Sequence, residues 1–377
     1  MKLLYLSNMK MPSEKAHSVQ VANTCAAFAG QGLDVELVAV ANKEKAGHDI
    51  FSFHEIKKNF TINFIQPLSL KNFGKIGLLL RAFFFAVAAW RKIISVKADI
   101  LYIRGPYVAY FISFLAKKYF LELHLVGGPS FLMRRIINKS AGLIVITSGI
   151  KQVLMEKYKI LPKKILVAPD GVSPEVFDLG LTVEQARERL NLPRDKKIIC
   201  YEGSFYSFNW KGVDVLLEAA SILKNKNLLF LFIGGNQPEI AAIKQKYRDL
   251  NNLMLLEKKP NPEISFYLKA ADVLVLPNKS GDAMSELYTS PMKMFEYMMA
   301  AKPIVASGLP SIKEVLNDGN SFLIEPNNPF VLAEAIEKVL ANEVLANEKS
   351  KRAYTDAQQY TWDKRARNIK IFLEKCL

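Results

Sequence analysis

YTSPMKMFEYMMAAKPIVAS, residues 288–307, reads as a helix that runs straight into a buried strand, and that unit decides the fold. Tyr-Thr-Ser-Pro is a helix start, with Ser290 read as the cap and Pro291 as the first helical residue. Met292, Phe295, Met299 and the alanines mark a buried face, and Lys302-Pro303 is read as ending the helix before the strand. The free N–H groups and dipole of a helix start favour an anion. Glu296, the lone carboxylate here, is either an ordinary solvated side chain or a partner for a sugar hydroxyl one turn beyond that anion. Phosphate at the helix start and sugar at the carboxylate together describe a pocket of the kind a nucleoside diphosphate fills.

The same pattern extends in both directions. In the first half the strands read LLYLS (3–7), VELVAV (35–40), INFI (62–65), ILYIR (100–104), FLELH (120–124), LIVIT (143–147) and ILVAP (165–169). Helical stretches such as Ser18–Gly32 separate them. After Pro169-Asp170-Gly171 the alternation pauses, then resumes with IICYEG (198–203), LLFLFIGG (228–235), LMLLE (253–257), VLVLP (273–277) and PIVAS (303–307). Continuous apolar strands, rather than alternating ones, imply parallel sheets covered on both faces. The βαβα order implies doubly wound folds. At 377 residues the chain is too long for one ordinary core. We therefore expect an α/β protein of two Rossmann-like domains, 1–180 and 181–359, joined near 175–195, with an amphipathic C-terminal helix at 360–377 packing back toward the first domain.

Charge is uneven. Residues 1–180 hold 24 Lys and Arg against 12 Asp and Glu, and residues 51–150 hold 14 against 3. An excess this local points to an anionic partner or a solvated basic face. No nucleic-acid motif is present, so nucleic acid is not expected. Lys57, Lys58, Lys71, Lys75, Arg81, Arg91 and Lys92 interleave with Phe and Leu, which suits an anionic membrane surface. The longest apolar run, IGLLLRAFFFAVAAW (76–90), is too short to span a bilayer and is interrupted by Arg81. It reads as a buried helix or as one with a membrane-facing side. Met1-Lys2 leads directly into a strand without a signal-peptide pattern, and Cys25, Cys200 and Cys376 have no paired spacing. Both suggest a cytoplasmic protein without structural zinc.

Three constellations carry chemistry. YEGSFYSFNWKGVDVLLEA (201–219) ends a strand at Glu202-Gly203 and opens a helix at Lys211-Gly212, where a lysine can neutralise a diphosphate. The helix bearing Glu296 is the second. FLELHLVGGPS (120–130) is the third, with His124 at the carboxyl end of a strand, where doubly wound folds bind ligands. Ser7-Asn8-Met9-Lys10-Met11-Pro12 follows the first strand where a dinucleotide fold has GxGxxG, and no P-loop occurs.

SPMKMFEYMMAAKPIVAS, WKGVD, LFIGG, YLKAADVLVLPN, LELH, SGIKQVLMEKYKI with PDGV, YTWDKRA and the opening SNMKMPSEKAHSVQVANTCAAFAGQGLDVELV occur in one order along the whole chain. Together they resemble glycosyltransferase family 4. The resemblance implies the GT-B fold, in which the two domains face an interdomain cleft. It also implies retaining transfer of a sugar from a nucleoside-diphosphate sugar, bound by the second domain, to a glycan or lipid-linked acceptor, bound by the first.

By that likeness Glu296 holds the donor ribose, Lys211 faces the diphosphate, and His124 lies near the reacting sugar. Gly203, Ser204, Tyr288, Ser290, Met292 and Lys293 complete the donor pocket, the loop Glu257–Pro262 lies near the base, and Arg104, His17 and Ser18 serve the acceptor. Two positions depart from the family pattern: Tyr288 replaces an acidic residue, for which Asp282 or Glu286 could substitute, and Ser204 replaces an arginine. Lysines in place of a metal, and no convincing DxD pair, lead us to expect metal-independent transfer with no cofactor. A peripheral enzyme at the inner membrane face fits these features. The competing readings are an NDP-sugar 2-epimerase of similar fold and a non-catalytic binding protein or partner subunit.

Overall fold

The computed structural model describes residues 1–45, 47–66, 74–115, 118–205, 209–224 and 226–377. Lys71 and residues 206–208 of the first glycine loop lie outside them. The chain forms two compact units, one made of Met1–Asp170 with Trp362–Leu377, the other of Gly171–Thr361.

The first unit carries seven strands: β1 (Lys2–Met11), β2 (Asp34–Ala41), β3 (Thr61–Ile65), β4 (Ile100–Arg104), β5 (Tyr119–Leu123), β6 (Ser140–Val145) and β7 (Ile165–Val167). They lie in the order β3-β2-β1-β4-β5-β6-β7, all pairs parallel. The reversal between β1 and β4 is the switch point of a doubly wound sheet, where ligands bind beyond the carboxyl ends of the strands. The first helix spans Ala16–Gly30, and the C-terminal helix Trp362–Cys376 packs against it within the same unit. Lys370 donates to the Gln31 carbonyl, and the buried Arg365 donates to the Pro169 carbonyl.

The apolar run near residue 80 belongs to a longer helix, Gly74–Val96. Ala82, Phe85, Ala86, Ala89 and Ile93 form its buried face, at helical spacing. Ile76, Leu79, Leu80, Phe83, Phe84 and Val87 form an exposed one. The sequence offered a buried or a membrane-facing helix; the helix has both a buried and an exposed apolar face. Among the described residues no helix is long and apolar enough to cross a membrane.

The second unit carries β8 (Lys197–Glu202), β9 (Leu228–Gly235), β10 (Leu253–Glu257), β11 (Val273–Leu276), β12 (Ile304–Ser307) and β13 (Phe322–Ile324), in the parallel order β10-β9-β8-β11-β12-β13. Strand β13 was not anticipated, because three residues give no usable periodicity. Ile198 and Cys200 point into one apolar layer while Ile199 and Tyr201 point into another, so the sheet is buried on both faces. Gly171 already belongs here, because Val172 bridges to Thr361; the boundary falls ten residues before position 180. Arg187, on the helix Val183–Arg189, reaches Asp272 at 2.6 Å and donates to the Ala270 and Lys196 carbonyls. Asp272 in turn accepts from the Ile198 amide at 2.6 Å.

The helix that opened our reading spans Met292–Met299. Pro291 has extended backbone (ψ 122°), so it caps the helix itself, and Ser290 stands one residue before the cap rather than on it. The helix also ends sooner than Lys302-Pro303, since Ala301 turns into the left-handed region (φ 53°).

Candidate active site

In the second unit the carboxyl end of β8 meets the helix Met292–Met299. Lys293, Glu296 and Tyr297 stand at i, i+3 and i+4, so one helix face delivers all three to that strand end. The Tyr297 hydroxyl accepts from the Glu202 amide at 2.9 Å. Lys293 Nζ donates to the Glu202 carbonyl and lies 4.0 Å from the Tyr201 ring centroid. Burial pushes its ammonium down to about 7, against the pull of Glu202. Burial and the neighbouring Glu202 raise the Glu296 carboxyl well above the usual range. Glu296 is buried, not solvated.

Lys211 reaches the same strand end, and its field is felt at Lys293. Its Nζ donates to Ser204 Oγ at 2.6 Å, and burial lowers its pKa. Gly212 follows with φ 70°, and a Cβ there would stand 1.8 Å from the Pro277 carbonyl oxygen. Only glycine lets the helix Val213–Ile222 start so close to β11.

Gly203, Ser204, Lys211, Lys293 and Glu296 are therefore gathered at one strand end. Ser290 is buried just before the helix, Met292 is its first residue, and Tyr288 ends the turn Met284–Tyr288. Asp282 and Glu286 are engaged in their own loop, accepting from the Met284 and Gly281 amides at 2.8 Å each. Glu202 is a site residue that sequence reasoning passed over: its field reaches Lys211, Lys293 and Glu296 alike. Its position at the strand end, directly before Gly203, was the signal.

In the first unit a second polar group forms at the carboxyl ends of the central strands. Glu122, fully buried on β5, accepts from His124 Nε2 (2.8 Å), Gln20 (2.7 Å), Arg365 (2.8 Å) and the Tyr102 hydroxyl (2.5 Å). Chiefly Arg365, with His124, holds its carboxyl well below the usual range despite the burial. With Nε2–H given to Glu122, His124 has Nδ1 as its acceptor nitrogen. Arg104 is buried at the end of β4. His17 is half-buried at the first helix. Ser18 is buried, accepts from the Ser13 amide at 3.1 Å and pairs with His54 Nε2 at 2.9 Å, so its hydroxyl serves the loop. Burial lowers His54 to about 4. Among the described residues no group of three His, Cys, Asp or Glu side chains could hold a metal ion.

Residues 182–359 match the family described as glycosyl transferases group 1, and residues 17–176 match glycosyltransferase family 4. The chain belongs to the family 4 glycosyltransferases. A D-inositol 3-phosphate glycosyltransferase of Stackebrandtia nassauensis is 25% identical over 249 residues, 62% of this chain and 54% of that protein. A putative teichuronic acid biosynthesis glycosyltransferase of Bacillus subtilis is 27% identical over 236 residues, 62% of this chain and 56% of that protein. The chain thus spans about half the length of the curated relatives it matches. Among solved structures, a glycosyltransferase from Rickettsia africae aligns with TM-score 0.77 at 19% identity, covering 99% of this chain and 98% of that one. Anabaena HepE with UDP-glucose aligns with TM-score 0.76 at 15% identity, covering both chains fully (100%). These likenesses carry the fold, and this family 4 member has the GT-B fold.

Proposed function

We propose that this family 4 protein transfers a sugar, with retention, from a nucleoside-diphosphate sugar held by the second unit to a glycan or lipid-linked acceptor held by the first. The observation that carries the reading is the pair Lys211 and Lys293 at the carboxyl end of β8, with Glu296 one turn beyond Lys293. Two half-buried ammonium groups whose fields oppose each other are electrostatically costly to hold together, and a diphosphate supplies counter-charge to both. Breaking the sugar–phosphate bond leaves negative charge on the diphosphate, and both lysines stabilise it there. Glu296, whose carboxyl is pushed toward its protonated form by burial and by Glu202, pairs with a ribose hydroxyl. His124, oriented by Glu122, positions the reacting sugar; the leaving phosphate takes the acceptor proton. The lysines replace a metal, so the reaction needs none and uses no cofactor. HepE, solved with UDP and with UDP-glucose, supports a donor of this class.

The acceptor belongs to polysaccharide or glycoconjugate synthesis at the cytoplasmic face of a membrane. That part rests on the exposed apolar face of Gly74–Val96 in a chain segment with 14 basic and 3 acidic residues. Incubation with UDP-, GDP- and ADP-sugars tests the whole reading. Release of one nucleoside diphosphate, slowed at least tenfold in Lys211→Ala, is the expected result. Equal rates in both proteins would remove Lys211 from the site.

A further inference from the structure

Arg104 is 7% exposed, yet its Nε has no hydrogen-bond partner and its guanidinium makes no ion pair among the described residues. The carboxylates whose fields reach it, Glu122 and Asp170, do not form an ion pair with it, and Glu122 already has five donors of its own. A guanidinium nitrogen buried in this state is costly, because its N–H has lost water without replacement. Strand register places Ser7 beside Arg104 and Arg104 beside Glu122, so all three project from the same face of β1, β4 and β5. Ser7 is fully buried, and its Oγ also lacks a partner. His124, whose side chain is 22% exposed, stands two residues beyond Glu122. This is the carboxyl edge of the sheet beside its switch point, the place where such sheets hold ligands.

We propose that Arg104 and Ser7, with His124 beside them, form a phosphate subsite, and that the acceptor carries a phosphoryl group. A guanidinium fork matches phosphate oxygens geometrically and is worth more there than a point charge. A phosphoryl group has oxygens enough for the fork, the hydroxyl and the imidazole at once. The inference rests on the transfer reading for its word acceptor, but not for the site, which lies entirely in the first unit.

Inorganic phosphate, titrated into Lys211→Ala so that the donor lysines contribute less, is the direct probe. The double variant Lys211→Ala/Arg104→Gln should bind it about ten- to a hundredfold more weakly, the loss expected for one charge-assisted partner. Glucose 6-phosphate and dodecyl phosphate micelles then distinguish a soluble sugar phosphate from a lipid-borne one: whichever loses affinity in Arg104→Gln names the source. The ligand-free melting temperature is a second readout. Removing an unpaired buried charge should leave it unchanged or raise it, the mark of a residue kept for function. Phosphate affinity unaffected by Arg104→Gln would overturn the proposal. So would a fall of ten degrees or more in ligand-free melting temperature, which would mark Arg104 as structural. Absence of any nucleotide-sugar binding in the wild type would strike the transfer reading and leave this titration readable.

Discussion

Lys293 Nζ stands 2.6 Å from the point where a Cβ on Gly203 would lie, and Gly203 has φ 137°. The glycine thus gives the lysine its place at the end of β8. Gly203→Ala meets both the collision and a backbone conformation that costs about 1–3 kcal/mol. We expect nucleoside-diphosphate affinity to fall at least tenfold, with Lys293 displaced, by isothermal titration. Unchanged affinity would show that the lysine does not reach the ligand.

The lowered pKa of Lys293, about 7, gives the site a pH dependence whose sign differs between stability and binding. Its folded value lies below the unfolded 10.5, so between those values the unfolded state holds the extra proton. Stability from this group therefore rises as pH climbs from about 7 toward 10.5. A diphosphate prefers the charged amine, so its binding weakens as pH rises above about 7. Lys293→Met should bind about ten- to a hundredfold more weakly at pH 6 and show a flatter profile above neutrality. Parallel profiles for the two proteins would assign the titration elsewhere.

Arg365 and Glu122 form a buried pair that ties the C-terminal helix to the first sheet. Removing one member of such a pair costs about 3–5 kcal/mol. Arg365→Met should therefore lower the melting temperature markedly. Glu122 is held ionised, so its contribution is present above the ordinary carboxylate range and is lost as pH falls below it. Thermal melts from pH 6 down to pH 2 should show wild type and Arg365→Met converging below the ordinary carboxylate range. A constant gap would contradict the pairing.

Phe83 and Phe84 lie on the exposed face of Gly74–Val96, and Phe83 continues through Phe111 (5.4 Å) in a chain of ring contacts with Tyr110 and the exposed Phe114 and Phe131. Phe84→Asp should abolish co-sedimentation with phosphatidylglycerol vesicles, while nucleotide affinity and melting temperature stay close to wild type. Vesicle binding that survives this change, or that ignores lipid charge, would contradict a membrane face here.

If the lysines do the work of a metal, excess EDTA should leave turnover unchanged. Inhibition reversed by added Mg²⁺ or Mn²⁺ would contradict metal-independent transfer.

Much of this fold is legible in the sequence because parallel strands buried on both faces must be apolar throughout, as Ile199-Cys200-Tyr201 and Val273–Leu276 are. Short elements at the edge are not: Phe322–Ile324 joins the sheet through tertiary pairing that three residues cannot announce. Of the site, Lys211, Lys293 and Glu296 are visible as charges in apolar surroundings. Glu202 is not, because a single carboxylate at a strand end looks like any polar turn residue until the helix brings Lys293 to it. Pro291 rather than Ser290 caps the helix, since ψ, which sequence constrains weakly, decides where a helix begins.

The central claim is a donor site built on Lys211, Lys293 and Glu296. A thermal-shift panel of UDP, GDP and ADP with their sugar conjugates, on wild type and Glu296→Ala, tests it most directly. A nucleotide at a hundred times its Kd stabilises by about 2.7 kcal/mol. We expect one nucleotide to stabilise the wild type by about that much and the variant far less. Equal shifts in the two proteins, or none with any nucleotide, would contradict the account.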